Sequence, residues 1–130
     1  HCLAAMDAAL DEYLSLGGQS GRLAAYQANA KLVQDRLGAL GFECLIPVAS
    51  RSAVILTFGV PQGGWFDFDV LYDRLAAQGY YLYPGKLTHT PSFRVGCIGD
   101  LSEADFEGML NAFEAAVHDL RPVLEQSAAS

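Results

Sequence analysis

The chain has few basic residues and no long hydrophobic run, and both shortages exclude classes of partner. Among its 130 residues, eight Lys and Arg stand against fifteen Asp and Glu, so the formal net charge is −7. Such a charge repels phosphate backbones and anionic lipids and lacks the counterion release that drives general nucleic-acid binding. No stretch reaches the roughly 18 apolar residues that a membrane helix requires. We therefore expect neither a nucleic-acid nor a membrane partner.

Cysteine is scarce as well, and the few that occur follow no metal or disulfide pattern. Cys2, Cys44 and Cys97 are widely spaced, with no CxxC and no Cys/His cluster. We interpret them as reduced, mostly buried thiols, which indicates a cytoplasmic protein. The chain also begins without Met, at His1 and directly in a helical pattern, which we interpret as a segment of a longer polypeptide.

Patterns for hydrolytic, metal and nucleotide chemistry are missing too. His1, His89 and His118 come with no recognisable nucleophile or metal spacing. No GxGxxG or P-loop pattern follows a strand and opens a helix. The acidic residues that start with Asp67 are explained by capping of a helix and by its dipole. We therefore expect no catalytic residue and no metal site in this chain.

What is present is an apolar pattern sufficient for one core, with 52% hydrophobic residues. Four helices are predicted: one that ends at Gly17, one over residues 20–40, one over about 68–78, and one that begins after a Ser102 cap. Four strands are predicted at residues 43–46, 53–58, 80–83 and 92–98.

The order of these elements, α-α-β-β-α-β-β-α, predicts an α+β fold. In this α/β sandwich, a small and largely antiparallel sheet carries helices packed on one face. We expect the N-terminal helices in residues 1–40, the domain core in residues 41–121 and a flexible tail in residues 122–130.

The last predicted strand contains the most informative residue. In SFRVGCIG, the alternation of side chains sends Phe93 and Val95 to one face and Arg94 to the other. A guanidinium in mid-strand, two residues from Gly96, suits bidentate capture of a carboxylate or phosphonate. A structural arginine that pairs with a local acid or lies on a solvated sheet face has the same spacing, so both interpretations remain open.

A polar loop precedes this strand. In YLYPGKLTHT, a Pro-Gly turn presents Lys86, Thr88 and His89. Lys86 could be a Schiff-base nucleophile, but that role needs a desolvated amine, which an exposed turn does not provide. We expect the turn to serve packing or contact with a partner domain.

One long string resembles a known family. FDFDVLYDRLAAQGYYLYPGKLTHTPSFRVGCIGDLSEADF, residues 66–106, closely resembles the C-terminal segment of class V aminotransferases, which depend on pyridoxal phosphate. GGQSGRLAAYQANAKLV, residues 17–33, resembles the Gly-Gly turn and long helix that lead into the small domain of that family. The YPGKLT and GCIG strings favour the branch that moves an amino group from 2-aminoethylphosphonate to pyruvate and yields phosphonoacetaldehyde and alanine.

The resemblance implies a division of labour within a longer enzyme. It implies the C-terminal domain of a fold-type I enzyme, with the Schiff-base lysine and the other cofactor-binding residues in a larger N-terminal domain that this chain lacks. It implies a homodimeric parent whose small anionic substrates are an amine and a keto acid. Arg94 matches the family arginine that engages the anionic end of the substrate, so it is the substrate-binding residue that the resemblance assigns.

Two alternatives belong beside this hypothesis. Another class V aminotransferase, of the alanine:glyoxylate or serine:pyruvate type, would share the lobe but use carboxylate substrates only. A free-standing ligand-binding or dimerisation module would reuse the lobe without catalysis. The exposed apolar side chains predicted on the first helix, such as Leu3 and Met6, argue mildly against a free-standing module because they need a surface to pack on.

Overall fold

The computed structural model describes residues 1–85 and 90–121 of the chain. Four α-helices, one 3-10 turn and three strands follow in the order α1 Cys2–Ser15, α2 Gly18–Ala39, the 3-10 turn Val48–Ser50, β1 Ile55–Gly59, α3 Phe68–Ala76, β2 Tyr83–Pro84, β3 Ser92–Gly96 and α4 Glu103–Leu120. No helix in these residues combines the length and the apolar character needed to cross a bilayer.

The sheet is small and antiparallel, with β3 in its centre. Its strand order is β1-β3-β2. The register pairs Arg94 of β3 with Thr57 of β1 on one side and with Tyr83 of β2 on the other. The predicted α+β class, with a small antiparallel sheet, is therefore confirmed.

The core lies between one face of this sheet and helices α2, α3 and α4. Phe93 is fully buried at its centre and packs against Phe58 and Phe113, with ring centroids 5.7 and 5.8 Å apart. Phe42 adds edge-on contacts to Phe93 and Phe113. Aromatic pairs in these geometries add to the stabilisation that burial of their area provides. The aromatic cluster therefore anchors the helices to one face of β3.

Two helix starts follow their predicted caps. The Asp67 side chain accepts hydrogen bonds from the backbone N–H groups of Asp69 and Val70 at the start of α3. Ser102 and Asp105 form a reciprocal capping box at the start of α4. Each cap satisfies backbone donors that have no partner inside the helix. The capping interpretation of these acidic residues is confirmed.

The predicted strand at residues 43–46 is wrong. Only Cys44 forms a bridge, to Phe58, flanked by hydrogen bonds from the Leu45 N–H to the Thr57 carbonyl and from the Gly59 N–H to the Glu43 carbonyl. Pro47 follows directly and has no N–H to extend a ladder. The segment is thus a single point of pairing at the edge of β1.

The predicted strand at residues 80–83 is shorter and lies later in the chain, as β2. The Tyr80 N–H donates to the Leu75 carbonyl, and the Gly79 N–H donates to the Ala76 carbonyl. The backbone groups after α3 therefore close the helix C-terminus and are not available to a ladder. Pairing begins only at Tyr83, and the strand predicted at residues 92–98 likewise ends at Gly96.

Candidate functional site

Arg94 lies in the middle of the central strand, on the sheet face opposite the helices. Its neighbours Phe93 and Val95 are 0% and 3% exposed, whereas Arg94 is half-buried. The predicted alternation of β3 is therefore confirmed. Because directly paired residues project from the same face of a sheet, Thr57 and Tyr83 flank the Arg94 side chain in one row across three strands.

Small residues surround this row. Gly96 lies next to Arg94 along β3 and pairs with β1, and a Cβ atom built on Gly96 meets no atom within 4 Å. Toward the start of β3, Ser92 pairs with Gly59 of β1. The Gly85 N–H donates to the Ser92 carbonyl at 2.7 Å. The Arg94 side chain therefore stands beside the open space at Gly96, on a face that also carries Ile55, which pairs with Gly96 and is 37% exposed.

The guanidinium of Arg94 is only partly satisfied. Its Nη2 donates to the carbonyl of Pro84 at 3.2 Å. Its Nε is buried, and no acceptor for it lies among the described residues. The Ser92 hydroxyl, two residues away on the same face, is buried in the same state. A buried donor without a partner costs free energy, so a ligand that accepts from this guanidinium gains that energy on binding.

Arg94 also has no acidic partner within the described ranges, in a chain rich in acids. The ion pairs found there are Arg22–Glu12, Lys31–Asp35, Arg36–Glu114 and Arg74–Asp119. An unpaired, half-buried guanidinium is the kind of group that recognises planar or tetrahedral oxyanions. This geometry does not support the interpretation of Arg94 as a structural residue paired with a local acid.

The described residues do not fit pyridoxal phosphate by themselves. The cofactor needs an amine for its Schiff base. Lys31 is the one lysine of the described ranges, and it is an exposed residue of α2 whose amino group pairs with Asp35. Lys86, Thr88 and His89, and the predicted tail at residues 122–130, lie outside the described residues.

The sequence predicts neither a metal site nor a catalytic nucleophile in this chain, and the structure shows where the relevant histidines and cysteine lie. No cluster of three or more His, Cys, Asp or Glu side chains able to hold a metal ion occurs in the part of the chain that the structure describes. His1 and His118 are exposed. Cys97 is fully buried, and desolvation raises the pKa of its thiol to about 11. A thiol in this state is a poor nucleophile.

Sequence reasoning missed Thr57 and Tyr83 as neighbours of Arg94. They lie 37 and 11 positions from it in the chain, and only the register of the sheet brings them into one row. The alternation of side chains within each strand could have predicted that these residues lie on the open face, but it could not predict that they pair with Arg94.

Comparison with curated proteins finds one enzyme name repeatedly, although no protein-family model matches the chain. The chain is 38% identical over 120 residues to the 2-aminoethylphosphonate–pyruvate transaminase of Cupriavidus taiwanensis, which covers 92% of the chain and 32% of the relative. It is 41% identical to the corresponding transaminase 1 of Burkholderia lata, with the same coverage. For the Burkholderia ambifaria enzyme, 38% identity extends over 99% of the chain and 35% of the relative. The chain thus spans about a third of the length of these relatives.

Solved structures with the same fold are also enzymes. Ureidoglycine–glyoxylate aminotransferase from Bacillus subtilis gives a TM-score of 0.72 over 82% of the chain and 27% of that structure, at 18% identity. Aspartate aminotransferase from Thermus thermophilus gives a TM-score of 0.64 over 75% of the chain and 27% of that structure, at 17% identity. At this level of identity the likeness concerns the fold.

Sequence and fold agree with the resemblance to aminotransferases drawn from residues 17–33 and 66–106. The chain is therefore a relative of a segment of the 2-aminoethylphosphonate–pyruvate transaminases.

Proposed function

We propose that the chain is the C-terminal small domain of a transaminase that depends on pyridoxal phosphate. The longer enzyme moves an amino group from 2-aminoethylphosphonate to pyruvate and produces phosphonoacetaldehyde and alanine. The names of the relatives support this substrate pair, and their threefold greater length supports a larger enzyme around the chain.

The observation that carries the proposal is the state of Arg94. A guanidinium on the central strand, without an acidic partner among the described residues and beside the open space at Gly96, is suited to an anionic substrate group. The packed side chain of Phe93 fixes the backbone of β3 beside Arg94, and the hydrogen bond to the Pro84 carbonyl orients the guanidinium. A fixed two-point contact orients the substrate for reaction. Arg94 thus binds the phosphonate of the amine and the carboxylate of the keto acid in turn.

The remaining chemistry belongs to the longer protein. Pyridoxal phosphate, when bound, supplies the electron sink for transamination. We place its binding residues and its lysine in the rest of the longer protein, as the resemblance implies; the one lysine of the described ranges, Lys31, is exposed and pairs with Asp35. The contribution of the chain is to bind the substrate anion, to orient the amine and to exclude water when the small domain closes on the large one.

The same proposal places the longer protein in the cytoplasm as a homodimer. The three cysteines are free thiols, and Cys2 is exposed. Free thiols persist in a reducing compartment. The exposed apolar side chains of α1, including Leu3 at 84% exposure, offer a surface on which the rest of the polypeptide or a second subunit packs.

Substitution of Arg94 tests the proposed function. In the longest polypeptide that contains this chain, Arg94→Ala should lower kcat/KM for 2-aminoethylphosphonate by a factor of about 10–100, because it removes charge-assisted hydrogen bonds to the substrate. Arg74→Ala is the matched control, since Arg74 pairs with Asp119 on the surface, and it should change kcat/KM less than twofold.

The wild-type polypeptide provides the second readout. Its visible absorption spectrum should change when 2-aminoethylphosphonate is added and return when pyruvate is added. A colourless polypeptide would contradict the proposal that the longer protein is a transaminase that depends on pyridoxal phosphate. Unchanged kinetics in Arg94→Ala, with a normal spectrum, would remove only the assignment of Arg94.

A further inference from the structure

Arg94 alone does not distinguish a phosphonate from a carboxylate. A carboxylate is planar and has two oxygens, which a guanidinium satisfies with two parallel N–H groups. A phosphonate is tetrahedral and has three oxygens, so one oxygen projects away from the plane of the guanidinium. An enzyme that prefers the phosphonate gains from one more donor at that position.

The sheet places two hydroxyl groups beside Arg94, on opposite sides. Thr57 of β1 and Tyr83 of β2 are its direct partners in the register, so all three side chains project from the open face. Directly paired residues have Cβ atoms about 5 Å apart. Both side chains are thus direct neighbours of the Arg94 side chain.

The hydrogen bond of the guanidinium selects between the two sides. Arg94 Nη2 donates to the carbonyl of Pro84, which follows Tyr83 in β2. The guanidinium therefore leans toward β2 and away from Thr57. Tyr83 also has a long side chain that is 61% exposed, whereas Thr57 is short and half-buried. Of the two hydroxyls, that of Tyr83 belongs to the strand toward which the guanidinium leans, and its side chain is the longer and more exposed of the two.

We propose that Tyr83 is a specificity-determining residue, whose hydroxyl donates to the third oxygen of a phosphonate held by Arg94. This inference rests on the proposed function of Arg94 and adds the selection of phosphonate over carboxylate. Because a carboxylate has no third oxygen, its binding does not depend on the Tyr83 hydroxyl.

Tyr13 provides a control, because it is another tyrosine beside an arginine. It lies in α1, outside the sheet, with its ring centroid 5.5 Å from the guanidinium carbon of Arg22. Thr57→Val is a second control, because it removes the hydroxyl on the opposite side of Arg94 with little change in shape.

The experiment compares the binding of methylphosphonate and acetate to the longest polypeptide that contains the chain, by isothermal titration calorimetry. Tyr83→Phe should weaken methylphosphonate binding about tenfold and acetate binding less than twofold, as expected for one lost hydrogen bond to a charged group. Tyr13→Phe and Thr57→Val should leave the ratio of the two dissociation constants within twofold of the wild type.

The outcomes separate this inference from the function on which it rests. If Arg94→Ala abolishes binding of both probes but Tyr83→Phe leaves their ratio unchanged, the role of Tyr83 is wrong and the anion site stands. If Tyr83→Phe weakens both probes equally, Tyr83 supports the site without selecting the anion, and the inference is again wrong. If the wild type binds neither probe, or Arg94→Ala binds both normally, the anion site itself is overturned, and the inference with it.

Discussion

At the scale of single residues, one side chain of β3 and one that directly follows the strand show how exposure to water affects chemical behaviour. Arg94 and Cys97 are three positions apart, yet one faces the open side of the sheet and the other the core. Arg94 carries a buried Nε without a described partner. The Cys97 thiol is removed from water, which disfavours its anionic form.

Cys97 should therefore resist thiol reagents in the folded chain. Its pKa is raised from 9.0 to about 11 by burial, so at pH 8 it carries almost no thiolate. Exposed Cys2 should react quickly with a disulfide reagent such as Ellman's reagent, and Cys97 should react only after unfolding. The measurement is the time course of thiol release with and without denaturant, with Cys2→Ser as control. Rapid reaction of Cys97 in the native chain would show that the strand opens locally.

At the scale of elements, the N-terminus of α4 shows how side-chain capping fixes where a helix begins. The capping box of α4 joins Ser102 and Asp105 in both directions. The hydrogen bonds from Ser102 lower the pKa of the Asp105 carboxyl from its ordinary value of 3.8. A carboxyl with a lowered pKa in the folded state stabilises the fold above about pH 4 and loses that contribution as the pH falls through the folded pKa.

Removal of the cap should cost stability at neutral pH and less in acid. Ser102→Ala should lower the free energy of unfolding by about 1 kcal/mol at pH 7, because it removes the hydroxyl that accepts from the Asp105 N–H and donates to the Asp105 carboxylate. The loss should shrink in acid, as the pH falls through the lowered pKa of Asp105, because protonation weakens the part of the box that the carboxylate makes. Urea titrations at pH 7 and pH 3 provide the measurement, and Ser20→Ala in α2 is the control. A cost independent of pH would show that Asp105 does not contribute.

At the scale of the whole molecule, the chain has a core of its own but leaves its first helix outside it. Residues of α2, α3 and α4 join the buried cluster around Phe93, whereas α1 has no buried residue. Helix α1 contacts α2 and ends near Gly21, where a Cβ atom would lie 1.9 Å from the Leu16 carbonyl oxygen. The close approach of the two helices there requires glycine.

Two leucine substitutions measure this difference between the helices. Leu37→Ala removes a fully buried side chain of α2 and should lower the free energy of unfolding of the chain by about 2–5 kcal/mol. Leu3→Ala removes a side chain that is 84% exposed and should change it by less than about 0.5 kcal/mol.

The same pair of variants in the longest polypeptide tests what covers α1. There, Leu3→Ala should cost more than in the chain alone, because the proposed remainder of the enzyme buries this surface. Denaturant titrations of both variants in both proteins give the comparison. An equally small cost in the longer protein would contradict packing of α1 on the rest of the enzyme.

The local features of this protein follow from its sequence. Helix periodicity, the caps at Asp67 and Ser102, and the alternation that turns Arg94 away from Phe93 depend on residues within a few positions of one another, so short-range rules recover them. The likeness of residues 66–106 to aminotransferases is likewise a property of the string. The sequence therefore determined the fold class and pointed to one arginine.

Long-range pairing and competition for hydrogen bonds were decided only in the tertiary structure. The segments at 43–46 and 80–83 have strand composition, but Pro47 stops one ladder and the C-terminus of α3 takes the Tyr80 N–H from the other. The row of Thr57, Arg94 and Tyr83 exists because three strands share one register, and register depends on the packing of a whole face rather than on any short segment. For that reason Arg94 could be singled out from the sequence, whereas its neighbours Thr57 and Tyr83 could be identified only from the tertiary structure.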